Sequence, residues 1–290
     1  MNPAHKQLSL NRGASRKQIP ISSIYIRTYK RDIAWLDFCL QSIHRNLKGW
    51  DEIVVGVPEG QEDHLRFLES ERKVSCPRFR EDYVGQQVAK LQAHRHVRGD
   101  YVFFVDSDVI FLPGADVRVF LEDGKPLIEK VRYTTLARLG EGAVKWQAAV
   151  ANIFGEKPEW EYMRSHGSRL YHTDTLRALA ALFPELEAYA RGVPKCLFSE
   201  FNILGYFAEK HEADRYRFAD TDTEPMRPSC SRQFWTVDGL TPANLAELAA
   251  LGFQPRWPST LSSLDKFKRW LSQTTRHTKQ RLKAFGRKPS

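Results

Sequence analysis

No run in this 290-residue chain approaches the roughly 18 uninterrupted apolar positions of a membrane-crossing helix. The first twenty residues, "MNPAHKQLSLNRGASRKQIP", lack the apolar centre of a secretion signal. The expectation is therefore a soluble, cytoplasmic protein. Cysteine is sparse: Cys39, Cys76, Cys196 and Cys230 are widely scattered, with no CxxC pair. That spacing argues against a zinc site built from thiolates and for reduced, buried thiols rather than a disulfide framework. Neither GxxxxGK[ST] nor GxGxxG follows any predicted strand, which leaves P-loop and dinucleotide-binding readings without support. Internal repeats and low-complexity linkers are also missing, so one compact domain is expected.

What is present is ample material for a core: 42% hydrophobic residues, with 17 Phe and 7 Trp. The formal charge of +9 is unevenly spread. From Lys266 onward come Lys268, Arg269, Arg276, Lys279, Arg281, Lys283, Arg287 and Lys288, with little acid to balance them. Without this tail most of the net charge disappears. Such a run is either a solvated helix with a frayed end or an attraction to an anionic surface, phospholipid or nucleic acid. The chain thus divides into a flexible basic segment (1–20), a central domain (21–262) and a basic helix or tail (263–290).

"ISSIYIRTY" (21–29) has strand content, and the helical spacing of Ile33, Leu36, Leu40 and Ile43 follows. "DEIVVGVP" (51–58) is a second strand, "EDHLRFLESER" a short helix, and "DYVGQQVAKLQAHRHV" an amphipathic helix with Val84, Val88, Ala89 and Leu91 inward. "YVFFVDSDVIFLPG" (101–114) opens as a third strand. This alternation predicts an α/β layered fold, Rossmann-type, with a mostly parallel central sheet flanked by helices. Ligands in such sheets bind at the carboxyl ends of the strands. Further on, "VRYTTLARL" reads as a strand, and "TDTLRALAALFPELEAYARG" as a helix to Phe183 that breaks at Pro184. "SEFNILGYFAEKH" (199–211) reads as a helix capped by Ser199. "RYRFADTDTE" and "RQFWTVDG" are short extended segments, and "TPANLAELAALGF" a capped helix.

Asp106-Ser107-Asp108 carries the most pointed chemistry. An unpaired carboxylate inside a sheet costs several kcal/mol or shifts its pKa until it is neutral. Asp106 and Asp108 must then either emerge from the sheet or share a counter-ion. Hard oxygen ligands select Mg²⁺ or Mn²⁺, and a magnesium-like ion keeps open positions for phosphate oxygens. The competing reading is a strand-ending turn, where Asp is common for its local hydrogen bonds.

"YVGQQVAKLQAHRHVRGDYVFFVDSDVIF", with "YIRTYKRD" before it and "SEFNILGYF" after it, resembles nucleotide-sugar-dependent glycosyltransferases of the GT-A fold. The nearest likeness is to the DUF6492-type group, which carries a Gln-Gln-x-x-Lys helix just before an Asp-x-Asp strand. The resemblance spans roughly residues 21 to 240. It implies a nucleoside diphosphate sugar donor, a hydroxyl acceptor and a divalent ion, Mn²⁺ or Mg²⁺.

It further implies that Asp108 holds the ion, that Asp106 faces the ribose or the ion, and that Ser107 lies at the nucleotide. Gln86 and Lys90, one helical turn apart, would reach the nucleotide or its phosphates. Thr28, Tyr29 and Arg31 would line the nucleotide, Tyr29 by stacking and Arg31 at phosphate. Glu200 would be the general base of an inverting transfer, and Asp238 the third metal ligand. Trp235 forms either an acceptor wall or part of the core, the latter being commoner for tryptophan. His172 is expected in the core. The expected acceptor is a surface-glycan precursor near the inner membrane or another hydroxyl-bearing polymer, and the basic tail suits an anionic membrane face. The alternatives are a hydroxylated DNA base, or no reaction at all in a GT-A-like binding module.

Overall fold

The computed structural model describes residues 22–164, 168–194, 197–235 and 239–256. The expected alternation opens the fold: β1 (Ser22–Arg27), α1 (Ile33–Asn46), β2 (Glu52–Pro58), β3 (Arg72–Cys76), α2 (Asp82–Leu91) and β4 (Tyr101–Asp106). A short β5 (Val109–Phe111) follows, then β6 (Leu121–Glu122), β7 (Lys125–Arg132), α3 (Tyr133–Arg138) and α4 (Trp146–Phe154). The rest comprises β8 (Trp160–Glu161), β9 (Ser168–His172), α5 (Thr173–Leu182), α6 (Leu186–Gly192) and α7 (Glu200–His211), then β10 (Arg217–Asp220), β11 (Ser231–Gln233) and α8 (Pro242–Ala250).

The central sheet runs β3-β2-β1-β4-β9. Its first four strands are parallel, and β9 adds to the edge antiparallel. Strand residues alternate between two buried faces, as a covered sheet requires. Ile24, Ile26, Val55, Phe103 and Val105 pack with Ile33, Leu36, Leu40 and Ile43 of α1. Tyr25, Val54, Val102 and Phe104 turn the other way, onto Val84, Val88 and Leu91 of α2 and onto α7. A third cluster joins Trp35 and Phe38 of α1 to Ile110, Phe234 and Leu248. The mostly parallel α/β layering read from the sequence is thus the observed architecture.

The order of strands fixes where a ligand belongs. From β1 the chain winds outward to β2 and β3, then returns across to β4 on the other side of β1. The carboxyl ends of β1 and β4 therefore flank the point where the winding reverses, the usual binding crevice of open α/β sheets. Arg27 and Asp106 are register partners there.

Several expectations need correction. "EDHLRFLESER" forms one 3₁₀ turn (Glu62–Leu65), and its end enters β3. "VRYTTLARL" is the last two residues of β7 followed by α3. The helix expected over 82–97 stops at Leu91 and is followed by a 3₁₀ turn over Ala93–Arg95. Ser199 does sit at the N-cap of α7, but its side chain makes no capping hydrogen bond and instead accepts one from Asn202 (2.8 Å). The break near Pro184 holds, separating α5 from α6. Cys39, Cys76 and Cys230 are free thiols, the first two buried. Among the described residues no helix is long and apolar enough to cross a membrane.

Candidate functional site

"YVFFVDSDVIF" is not one strand but two. β4 ends at Asp106, Ser107 and Asp108 form a turn, and β5 leaves the central sheet to pair with β11. Asp106, 30% exposed at its side chain, stands at the end of a central strand, while Ser107 and Asp108 are buried. The amide of Gln233, from β11, reaches toward both acids, with Nε2 at 3.3 Å from Asp106 Oδ2 and 3.4 Å from Asp108 Oδ1.

Lys90 is the counter-charge. Its ammonium, 4% exposed, lies 2.7 Å from Asp106 Oδ1 and 3.1 Å from Glu200 Oε1. It also sits 4.9 Å above the Phe201 ring. Burial alone would pull the lysine down, but Asp106 and Glu200 outweigh it and the net shift is well upward. Lys90 is therefore a cation joining the end of β4 to the start of α7, with Glu200 110 positions away from it in the chain. Glu200 is 4% exposed.

Asp108 lacks such a partner. Burial, then Asp106, then Asp32 push its carboxyl up to about 7, only partly offset by Gln233. Asp32, at the start of α1, thereby belongs to the same electrostatic neighbourhood. Around the crevice the Asp106, Asp108 and Glu200 carboxylates meet the Lys90 ammonium and the Gln233 amide, while the Arg27 guanidinium is paired with Asp82. A hard cation would relieve that surplus, and the carboxylate oxygens of Asp106 and Asp108 suit one. Among the described residues no group of three or more His, Cys, Asp or Glu side chains could hold a metal ion. Asp238 lies outside the described residues.

The remaining predicted positions divide. Thr28 is buried at the end of β1, with its amide bonded to the Gly56 carbonyl (2.9 Å) and its hydroxyl without a partner. Tyr29 is half-buried and Arg31 exposed in the loop that follows. Gln86 is half-buried on α2, and Gln87 is the residue turned fully inward. Lys90 spends its charge on two side chains rather than projecting freely. His172 packs between Tyr101 (4.7 Å) and Tyr216 (5.3 Å) at the opposite end of β4 from Asp106. Trp235 is 77% exposed, so the core reading of that residue is wrong.

Three contributors were not singled out from the sequence. Arg27, buried, pairs with Asp82 at 2.6 Å and places a guanidinium at the end of β1. Asp32 and Gln233 bear on the two acids as described. A polar residue ending or just following a predicted strand is the signal that could have found Arg27 and Asp32. Gln233 offers no such signal, since its role arises from the pairing of β11 with β5.

The seat of Glu200 is built by α7. Asn202 accepts the Tyr162 amide (2.9 Å), and the Tyr162 hydroxyl donates to Glu209 (2.6 Å). The helix can lie this close because position 205 is glycine. A Cβ there would meet the Tyr162 Cβ at 2.4 Å.

No curated protein matches the chain. Residues 23–123 match the model of glycosyl transferase family 2, a stretch that runs from β1 through the two aspartates and stops before Glu200 and Gln233. That match, on a layered α/β fold with acids at the reversal of the strand order, supports a GT-A glycosyltransferase.

Proposed function

We propose that this protein transfers a sugar from a nucleoside diphosphate sugar to a hydroxyl acceptor, with Asp106 and Asp108 holding a divalent cation, Mn²⁺ or Mg²⁺. The observation that carries the reading is the array Asp106–Lys90–Glu200 at the crevice where the strand order reverses. When bound, the cation would neutralise charge gathering on the diphosphate leaving group. Thr28, Tyr29 and Arg31 lie in the loop after β1, where the nucleotide would rest, and Gln86, Ser107 and Asp238 belong to the same proposal.

Glu200 is proposed to accept the proton of the acceptor hydroxyl as that oxygen attacks the sugar. Lys90 holds the Glu200 carboxylate in place and keeps it apart from Asp106. The Gln-Gln-x-x-Lys pattern of α2 supports a proposed likeness to the DUF6492-type group. A surface-glycan precursor is the proposed acceptor, and the basic tail from Lys266 is proposed to touch anionic lipid at the inner membrane face.

A panel of UDP- and GDP-sugars, incubated without acceptor and with Mn²⁺ or Mg²⁺, tests the reading through slow donor hydrolysis. Asp106→Ala with Asp108→Ala should remove that hydrolysis. Unchanged turnover in the double variant would refute the metal site. Binding of a donor by titration calorimetry without hydrolysis or transfer would leave a binding module in place of an enzyme.

A further inference from the structure

A helix that is apolar around its whole circumference belongs inside a protein. Apart from Asn244 and Glu247, α8 is built of Pro, Ala and Leu, yet only Leu248 is buried. Its outward side carries Ala243, Leu245, Ala246, Ala249 and Ala250, all exposed. Its two polar side chains are engaged: Asn244 closes the capping box with Thr241, and Glu247 pairs with Arg232.

The chain leaves α8 along α1 in three steps. Arg45 donates to the Leu251 and Gly252 carbonyls (2.8 and 2.9 Å), and Gln41 donates to the Gln254 carbonyl (2.9 Å). Asp37 then accepts the Arg256 amide (2.8 Å) and guanidinium (3.1 Å). Asp37, Gln41 and Arg45 are successive helical turns, so the described chain ends on the turn that carries Trp35 and Phe38. Those two rings cluster with Leu248 of α8. Residues 257–290 continue from there. Within them Leu264, Phe267, Trp270 and Leu271 recur at helical spacing, with Asp265, Lys266 and Arg269 on the other side. Seven residues separate Arg256 from Leu264. They reach up to about 24 Å, whereas α8 is only about 13 Å long.

We propose that residues 264–271 form an amphipathic helix that docks on the outward side of α8. The inference is independent of the glycosyl-transfer reading. A tether this short holds the segment at an effective concentration of about a millimolar, so a modest apolar contact suffices. Leu264, Phe267, Trp270 and Leu271 cover Leu245 and the alanines beside it, and Lys266 and Arg269 stay in water. The basic residues from Arg276 to Lys288 then extend from a fixed point on the body. Lipid is the weaker occupant of this face, because α8 carries no cation to meet an anionic headgroup.

Hydrogen exchange read by mass spectrometry on the full chain tests this, in dilute protein without lipid. The amides of 264–271 should exchange about tenfold or more below their unfolded rates. Leu245→Asp on α8 and Phe267→Asp on the segment should each abolish that protection and speed exchange in α8. Phe267→Asp alters no residue of the described fold, so it carries the test alone if Leu245→Asp lowers the melting temperature. Unprotected amides at 264–271 in the wild type, or protection that survives Phe267→Asp, would overturn the proposal. So would protection that appears only with phosphatidylglycerol vesicles, which assigns the segment to lipid. Protection that grows with protein concentration would overturn it too, in favour of a second copy of the chain.

Discussion

Replacing Lys90 by methionine isolates the contribution of its ammonium, because the stem volume is kept and little cavity is created. The two acids would not suffer alike. Asp106 is 30% exposed at its side chain and keeps Gln233 at 3.3 Å, so water and the amide can take over. Glu200, with its side chain 6% exposed, loses its ion-pair partner where water cannot replace it. Removing one member of a buried ion pair costs about 3–5 kcal/mol, and here most of that falls on Glu200. Glu200→Gln in the same chain removes the stranded charge, so the double variant should recover about half of the loss or more. Urea unfolding of the wild type, both single variants and the double, at pH 7 in EDTA, gives the four corners of the cycle. If Lys90→Met unfolds within about 1 kcal/mol of the wild type, or Glu200→Gln recovers nothing, then Lys90 does not neutralise a buried carboxylate.

Asp108→Asn should change the pH dependence of stability in EDTA. The native carboxyl is raised from 3.8 to about 7, so the native state binds more protons than the unfolded chain across that window. The wild type should therefore be favoured below pH 4 and lose roughly 2–4 kcal/mol as pH rises through 7. The Asn variant should lack that slope, and parallel unfolding curves would refute the raised pKa. Gly205→Ala gains about 1 kcal/mol of helix propensity but forces Tyr162 to retreat from a 2.4 Å approach. Overpacking and the strained bonds of Tyr162 should leave a net loss of about 1–3 kcal/mol, and a raised melting temperature would contradict it. Thr241→Ala should cost about 1 kcal/mol in chemical unfolding, since Thr241 and Asn244 form a reciprocal capping box at α8.

The parallel half of the fold was legible because its strands are continuous apolar runs separated by helices of clear period. β3 was not, since "RKVSC" is a half-exposed edge strand with two cations, and only its first residue, Arg72, fell inside a predicted element, the helix pattern before it. β7 was obscured in the same way. Its Lys130 and Arg132 look exposed in sequence, whereas Lys130 pairs with Glu209 and both cations lie over Trp160. Asp106 and Asp108 stood out as a local pattern, and Lys90 and Glu200 followed from the family resemblance. What the sequence could not contain is the contact between Lys90 and two acids, because it depends on α2 and α7 packing on the same face of the sheet. Gln233 shows the limit most plainly: a three-residue strand with no periodicity delivers the amide that reaches both acids.

The division of "YVFFVDSDVIF" between two sheets has a mechanical consequence. Asp106 is carried by the five-stranded sheet, and Asp108 leads into the two-stranded one, so the separation of their oxygens is a measure of how the two sheets are tilted. Phe111, fully buried, contacts Phe103 across that joint, with ring centroids 6.1 Å apart. Its packing acts as a spacer that sets the angle between the two sheets, at whose adjoining ends the two carboxylates stand. Trimming that spacer would retune the bite of the pair from a point remote from any ligand, as shimming a hinge resets the gap at the free edge of a door.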